Sequence, residues 1–497
     1  MSNYTAILLA VLIGYILINF VVGIYISKKR VSLQEKGGFI SHYFIGNRSM
    51  GGIVLAMTLV ATFTSASSFI GGPGIAYTKG LVWVYLSMIQ VPTAFIILAI
   101  LGKKFGMISR KIGAVTVTDY LKERYQSKTV AILASICLVI FFIAQMMSQF
   151  IGGAVLFQEI TGLSYIYGLA LFGIVVILYT AFGGFRAVVI TDTIQGIIMV
   201  LGGFIMIFTI IHVAGGTDML LAKLNTANPH WSDIAGDGAT PKAFVMSFWV
   251  LVGIGVLGLP QTAVRAMGFK DTKALHKAMI YGSLVVGFLM LVMHISGVFA
   301  PAVLTLPKGV TPDHVIPRLV LQHMYPVVAG LFIAAPLAAV MSTVSSLLLL
   351  ASAGIVKDIY HNYVMDATVK DTPSGEKKIS KLSIFTTLVV GIIVFVFTVY
   401  PPDLIVWINL FAMGGLECAF FCPIIFGLYW KKANATGAVI SMLCGVVGFL
   451  LLNQFKVSMF GTTAIVPGIL ISVLTFVVGS LVGKKTSDDT LKLFFDK

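Results

Sequence analysis

Ser342 and Thr343 stand three and four residues after Ala339 in an otherwise apolar run, AAPLAAVMSTVSSLL. On a helix that spacing puts all three on one face. Two hydroxyls beside a backbone carbonyl make an oxygen-only half-site, and hard cations such as sodium prefer oxygen ligands. Pro336, just ahead, removes a backbone donor and loosens the local hydrogen-bond ladder. A second hydroxyl-rich stretch holds Thr62, Thr64, Ser65, Ser67 and Ser68, followed by Gly71, Gly72, Pro73 and Gly74. Carbonyls freed at such a break need a new partner where water is scarce. Residues 253–260 (GIGVLGLP) repeat the same Gly-Pro interruption. Hydroxyls and glycines in apolar helices also serve plain helix packing, so both readings stand at this point.

Glu417, in AMGGLECAFF, is the carboxylate placed deepest in an apolar run. A charge there is costly and marks a functional candidate, with a hydrogen-bonded structural glutamate as the alternative. Gln145 and Gln149 lie one turn apart and can bond a polar ligand or a neighbouring helix. His294 is isolated and reads as structural. No Lys or Arg lies deep enough to pair with an anionic solute, which leaves helix N-termini, hydroxyls, amides or a bound cation for that task. Cys418 and Cys422 share a face but lack further metal ligands nearby. All four cysteines sit in apolar runs, which implies no disulfide framework. Residues 479–486 (GSLVGKKT) fall one residue short of a phosphate-binding loop, so an ATP-driven pump is not expected, nor is an enzyme of any other kind.

The elements that must position these groups are membrane helices. Of 497 residues, 58% are hydrophobic and 11% charged, with a mean hydropathy of +0.99; soluble domains carry about 25% charged residues. Thirteen apolar segments are predicted near 4–27, 51–77, 81–101, 129–157, 164–182, 189–213, 243–262, 275–299, 325–352, 381–400, 404–429, 434–455 and 461–483, the first reading as a retained helix rather than a cleaved signal. Twenty-eight of the 34 Lys and Arg residues fall in alternate loops. By the positive-inside rule this puts the N-terminus outside and the C-terminus in the cytoplasm. The net charge of +15 is mostly this bias, and no nucleic-acid partner is expected. Residues 103–128 read as a short amphipathic interfacial helix, 214–242 as a part-helical external loop, and 366–380 as a flexible linker. Spans 2 and 7 are five apart and enter from opposite sides, as inverted repeats require.

The chain resembles the sodium:solute symporter family over nearly its whole length. The resemblance rests on residues 43–74 (YFIGNRSMGGIVLAMT through SASSFIGGPG), 178–188 (LYTAFGGFRAV), 191–196 (TDTIQG), GLPQTAVRAM, AAVMST and 427–443 (GLYWKKANATGAVISML). It implies an all-α polytopic fold with a five-plus-five inverted repeat (LeuT-like), one extra N-terminal helix and two extra C-terminal helices. The parts would be 1–50, the first repeat 51–213, the loop 214–242, the second repeat 243–429, and the C-terminal helices and tail 430–497. By this resemblance sodium is held by the carbonyls of Ala61, Thr64 and Ala339 and the hydroxyls of Ser342 and Thr343. Asp192 would assist sodium release, and Ser65, Ser67, Gln145, Trp249, Gln261 and Glu417 would bind substrate. Where proline-type members carry an aspartate and pocket aromatics, this chain has Phe63, Gln145 and Val252, which favours a longer, hydroxylated, amide-bearing carboxylate. The expected activity is sodium-coupled uptake of pantothenate across the cell's inner (plasma) membrane, with another monocarboxylate or an amino acid such as proline as the alternative. No cofactor beyond the coupling ion is expected.

Overall fold

The computed structural model describes residues 3–31, 48–233, 240–370, 372–459 and 461–496. Residues 43–47 of the family-like stretch lie outside these, as do the side chains of 183–187. Eleven helices are long and apolar enough to cross a bilayer: Asn3–Val22, Leu81–Lys111, Lys128–Thr161, Tyr165–Phe182, Val188–Ala214, Thr272–Ala302, Pro326–Val364, Pro373–Thr398, Ile405–Tyr429, Ala435–Gln454 and Ile465–Val482. Two further spans are bent pairs, Gly52–Phe63 with Ser67–Lys79 (66°) and Lys242–Gly258 with Pro260–Met267 (47°). Together they make thirteen, numbered here in chain order, and the two bent ones are spans 2 and 7. No strand occurs among the described residues; an isolated parallel bridge joins Met50 to Phe269. It ties the start of span 2 to the end of span 7 on the face opposite the one where span 1 begins. The latter is called the N-face below.

The bends follow from local chemistry. Thr64 closes the first half of span 2 in extended conformation, and the second half resumes through wide π turns at Ser67–Gly71. In span 7, π turns at Val250–Ile254 and a 3₁₀ turn at Gly255–Gly258 lead to an extended Leu259. Pro260 then opens the second half, at the first helical position where a missing N–H costs nothing. Pro336, by contrast, leaves span 9 unbroken from Pro326 to Ala353.

Among the eleven unbroken spans, span 9 is the most enclosed: 83% of its apolar window is buried, followed by span 11 at 72%, whereas span 1 reaches 22%. A span buried on all sides is the scaffold on which the bent spans rest. Several helices outrun their apolar runs. Span 3 continues to Lys111, span 9 extends through π turns at Gly354–Val364, and span 10 begins at Pro373, so most of 366–380 is turn and helix rather than flexible linker. The stretch 103–128 forms two helical pieces, not one. The second, Val117–Tyr125, is not laid on an interface: Tyr120 and Arg124 are fully buried, and Arg124 donates to the carbonyls of Gly427 and Trp430. A hairpin between spans 8 and 9 carries the helix Val315–His323, which hydropathy did not mark.

Candidate functional site

At the bend of span 2 the hydroxyls of span 9 reach across. Ser342 Oγ lies 2.9 Å from the Ala61 carbonyl and 3.0 Å from that of Ala339. Thr343 Oγ1 lies 3.1 Å from the Thr64 carbonyl and 2.9 Å from that of Ala339. The five residues singled out from the sequence for sodium thus meet at one buried junction. Each hydroxyl has a carbonyl on its own helix and one on span 2 within reach. Its proton can go to either, and its remaining lone pairs stay available to a cation. The N–H of Ala66, at the restart of span 2, donates to Gln149 Oε1 at 2.8 Å, so an amide of span 4 caps the second half.

On the opposite-face side of this junction lies a buried polar cluster. Thr58 donates to Asp192 Oδ2 at 2.6 Å; Arg265 of span 7 stands 3.7 Å from the same oxygen and donates to Ser346 Oγ at 2.6 Å. Spans 2, 6, 7 and 9 are pinned together there. Sequence reading singles out Asp192 but not Arg265, which lies three residues beyond the predicted end of span 7 at 262. Nearby, Lys357 at the end of span 9 pairs with Asp119 at 2.6 Å. Burial alone would raise the Asp119 carboxyl, but the Lys357 ammonium and two backbone N–H donors hold it below the usual range.

A small cavity of about 60 Å³ lies on the N-face side of the junction. Its lining includes Ser65, Ser67, Ser68, Ser87, Gln90, His294 and Asn409, together with Phe63, Val252 and Met413. Trp83 and Phe248 also line it in edge-to-face contact, centroids 5.3 Å apart, and Trp407 packs edge-on against both at 5.8 and 6.4 Å. Phe248 and Leu410 also line a wider recess of about 1150 Å³ formed by spans 4, 7, 11, 12 and 13.

The substrate residues read from the sequence divide by position. Ser65 and Ser67 line the cavity. Gln145 and Gln261 stand behind it in an amide chain: Gln261 donates to Gln145 Oε1, and Gln145 to Asn409 Oδ1, each at 3.3 Å. Trp249 turns toward Tyr85, with centroids 5.4 Å apart, because adjacent helix positions point about 100° apart and Phe248 takes the inward direction. Glu417 lies fully buried against Gly255 of span 7 and outside the lining. Asn409 and His294 were missed as cavity residues. An amide in WINLFAM, two turns before Glu417, was the available signal for Asn409; the lone His294 gave none.

At the N-face two carboxylates help to tie down the hairpin between spans 8 and 9. Glu159 of span 4 holds His314 at 2.6 Å and Arg318 at 3.1 Å. Asp313 accepts the Ile405 N–H at the start of span 11 at 3.2 Å. Burial pushes the Asp313 carboxyl up to about 6.

Two oppositely inserted broken spans, packed on a central helix whose hydroxyls meet the break, define a secondary transporter of the inverted-repeat class. A family model described as "Sodium:solute symporter family" matches residues 43–445, and the chain belongs to that family of sodium-coupled solute transporters. It is 45% identical over 481 residues to the sodium/pantothenate symporter of Escherichia coli (strain K12), covering 97% of each chain. It is 44% identical over 458 residues to that of Haemophilus influenzae (92% and 93% covered), and 31% identical to a sodium/proline symporter of Staphylococcus aureus (95% and 92%). Among solved structures it resembles a Na⁺-coupled sialic acid symporter in a substrate-bound outward-open state, with a TM-score of 0.82 at 21% identity, covering 97% of this chain and 99% of that one. That likeness and a weaker one to the nucleobase-cation symporter Mhp1 (TM-score 0.52, 16% identity, 91% and 97% covered) agree on the fold.

Proposed function

We propose that this protein couples inward sodium flow to uptake of pantothenate, and that the span 2–span 9 junction is its sodium site. The substrate reading is carried by the 45% identity, over nearly the full length, to a sodium/pantothenate symporter, against 31% to a proline carrier. The sodium reading is supported by the convergence of the carbonyls of Ala61, Thr64 and Ala339 with the hydroxyls of Ser342 and Thr343. Only neutral oxygens meet there, which suits a monovalent cation rather than a proton. Sodium at the junction organises the broken span 2 and favours the state open to the N-face. That face is the exterior by the Lys/Arg bias, with the C-terminus in the cytoplasm and the plasma membrane as host.

Substrate binds beside Ser65, Ser67 and Asn409, with Gln145 and Gln261 holding the Asn409 amide from behind; Trp249 and Glu417 stand outside this contact set. Opening of the Asp192–Arg265 cluster then gives sodium a way out, with Asp192 its release residue. Binding is reciprocal: whatever factor sodium adds to substrate affinity, substrate adds to sodium affinity. Labelled pantothenate uptake into proteoliposomes, with and without an imposed sodium gradient, tests this. Accumulation should need the gradient and be competed by unlabelled pantothenate. Gradient-independent uptake would remove the coupling, and absent competition would remove the substrate.

A further inference from the structure

His294 belongs to span 8, yet its ring lines the central cavity. Its Nδ1 lies 2.6 Å from the Met290 carbonyl one turn earlier. A carbonyl only accepts, so Nδ1 carries a proton, and in the neutral ring Nε2 is left as an acceptor. Nε2 abuts Gly72 at the bend of span 2, where any larger residue would strike it. Gly297, one turn on, packs as tightly on the Pro73 backbone, so span 8 presses this face onto the break. Three other oxygens of the lining already accept a hydrogen bond. Ser65 Oγ receives the Ser67 N–H, Ser68 Oγ the Ser65 N–H, and Asn409 Oδ1 the Gln145 amide. Ser67 Oγ is buried without a partner among the described residues.

We infer that His294 is a specificity-determining residue whose Nε2 accepts a hydrogen bond from a substrate hydroxyl, with Ser67 Oγ completing the contact. This rests on the pantothenate reading, because pantothenate carries two alcohol groups at the end remote from its carboxylate. A site built around such a hydrogen bond discriminates strongly against analogues lacking it.

The test is competition against labelled pantothenate in proteoliposomes of wild type, His294→Phe and His294→Gln. The competitors are pantothenate, its dideoxy analogue, and the analogue with the carboxylate reduced to an alcohol. In His294→Phe the KM for pantothenate should rise about tenfold or more. The dideoxy analogue's inhibition constant should stay within about twofold of wild type, because that ligand never made the bond. The glutamine variant, whose amide oxygen accepts, should recover part of the loss, and it carries the same comparison if the phenylalanine variant fails to fold. Equal losses for pantothenate and its dideoxy analogue would make His294 a packing residue and overturn the proposal. A loss that spares only the carboxylate-reduced analogue would make the ring a partner of the anion instead, and overturn it too. Wild type that takes up no pantothenate would fail the substrate reading itself, a result visible before any variant is compared.

Discussion

Spans 2 and 7 bend at corresponding places in the two repeats, by 66° and 47°, yet their freed backbone groups meet different fates. At span 2 the carbonyls of Ala61 and Thr64 are met by hydroxyls of span 9, and the Ala66 N–H by Gln149. At span 7 the Val256 carbonyl is satisfied by its own chain, from the Leu259 N–H at 3.1 Å and Thr262 Oγ1 at 3.3 Å. The carboxylates on spans 6 and 11, also five spans apart, differ in the same sense. Asp192 is held by Thr58 and Arg265, while both oxygens of Glu417 lack a partner among the described residues. Repeat symmetry therefore supplies two breaks. At span 2 two carbonyls are shared with hydroxyls of span 9, where a cation can compete for them, whereas at span 7 the Val252 carbonyl takes a longer bond, 3.4 Å, from Thr93 of span 3.

The largest expected effect separates the two carboxylates. Arg265→Ala strands a buried Asp192 charge and should cost about 3–5 kcal/mol in unfolding measurements in detergent. Adding Asp192→Asn should recover much of that loss, while Glu417→Gln alone should change stability by less than about 1 kcal/mol. Equal costs for the two sites would erase the contrast.

Next comes the hairpin that rests on the second half of span 2. The folded-state carboxyl of Asp313 lies above its unfolded value of 3.8, at about 6. Its contribution is therefore fully present below about pH 4 and is lost as pH rises through 6, to the extent of about 3 kcal/mol. The stability difference between wild type and Asp313→Asn, followed from pH 4 to 7, should trace that loss. A flat difference would detach this end of span 2 from pH.

Gly255→Ala drives a methyl group into Glu417 and should cost about 1–3 kcal/mol as overpacking. Glu417→Ala in the same chain should relieve part of it, and a double-mutant cycle reads the coupling. Smallest in energy, though decisive for function, is Thr343→Ala. It should raise the sodium concentration for half-maximal uptake about tenfold, equivalent to about 1.4 kcal/mol, at unchanged protein abundance. Unaltered sodium dependence would sink the assignment of the span 2 junction.

The span count and both bends were legible because hydropathy and Gly-Pro interruptions are local signals. Helix ends were not: span 3 runs on to Lys111 and span 10 starts at Pro373, since hydropathy marks where lipid ends while backbone hydrogen bonding continues. The face formed by Ala339, Ser342 and Thr343 was readable from i, i+3, i+4 spacing. Its partners Ala61 and Thr64 came only through family resemblance, because no spacing within one helix tells which neighbour it meets. Arg265 escaped notice for that reason, and so did Phe248, because which residue faces inward at the edge of a π turn depends on the whole span.

What the sequence determined alone was composition, periodicity and interruption: thirteen apolar segments, two of them broken, with basic residues on alternate loops. These depend on neighbours along the chain and on water excluded from hydrocarbon. Which break keeps its oxygens open, which carboxylate finds an arginine, and which ring faces the cavity were decided only by tertiary packing. Each depends on a contact between residues seventy or more positions apart.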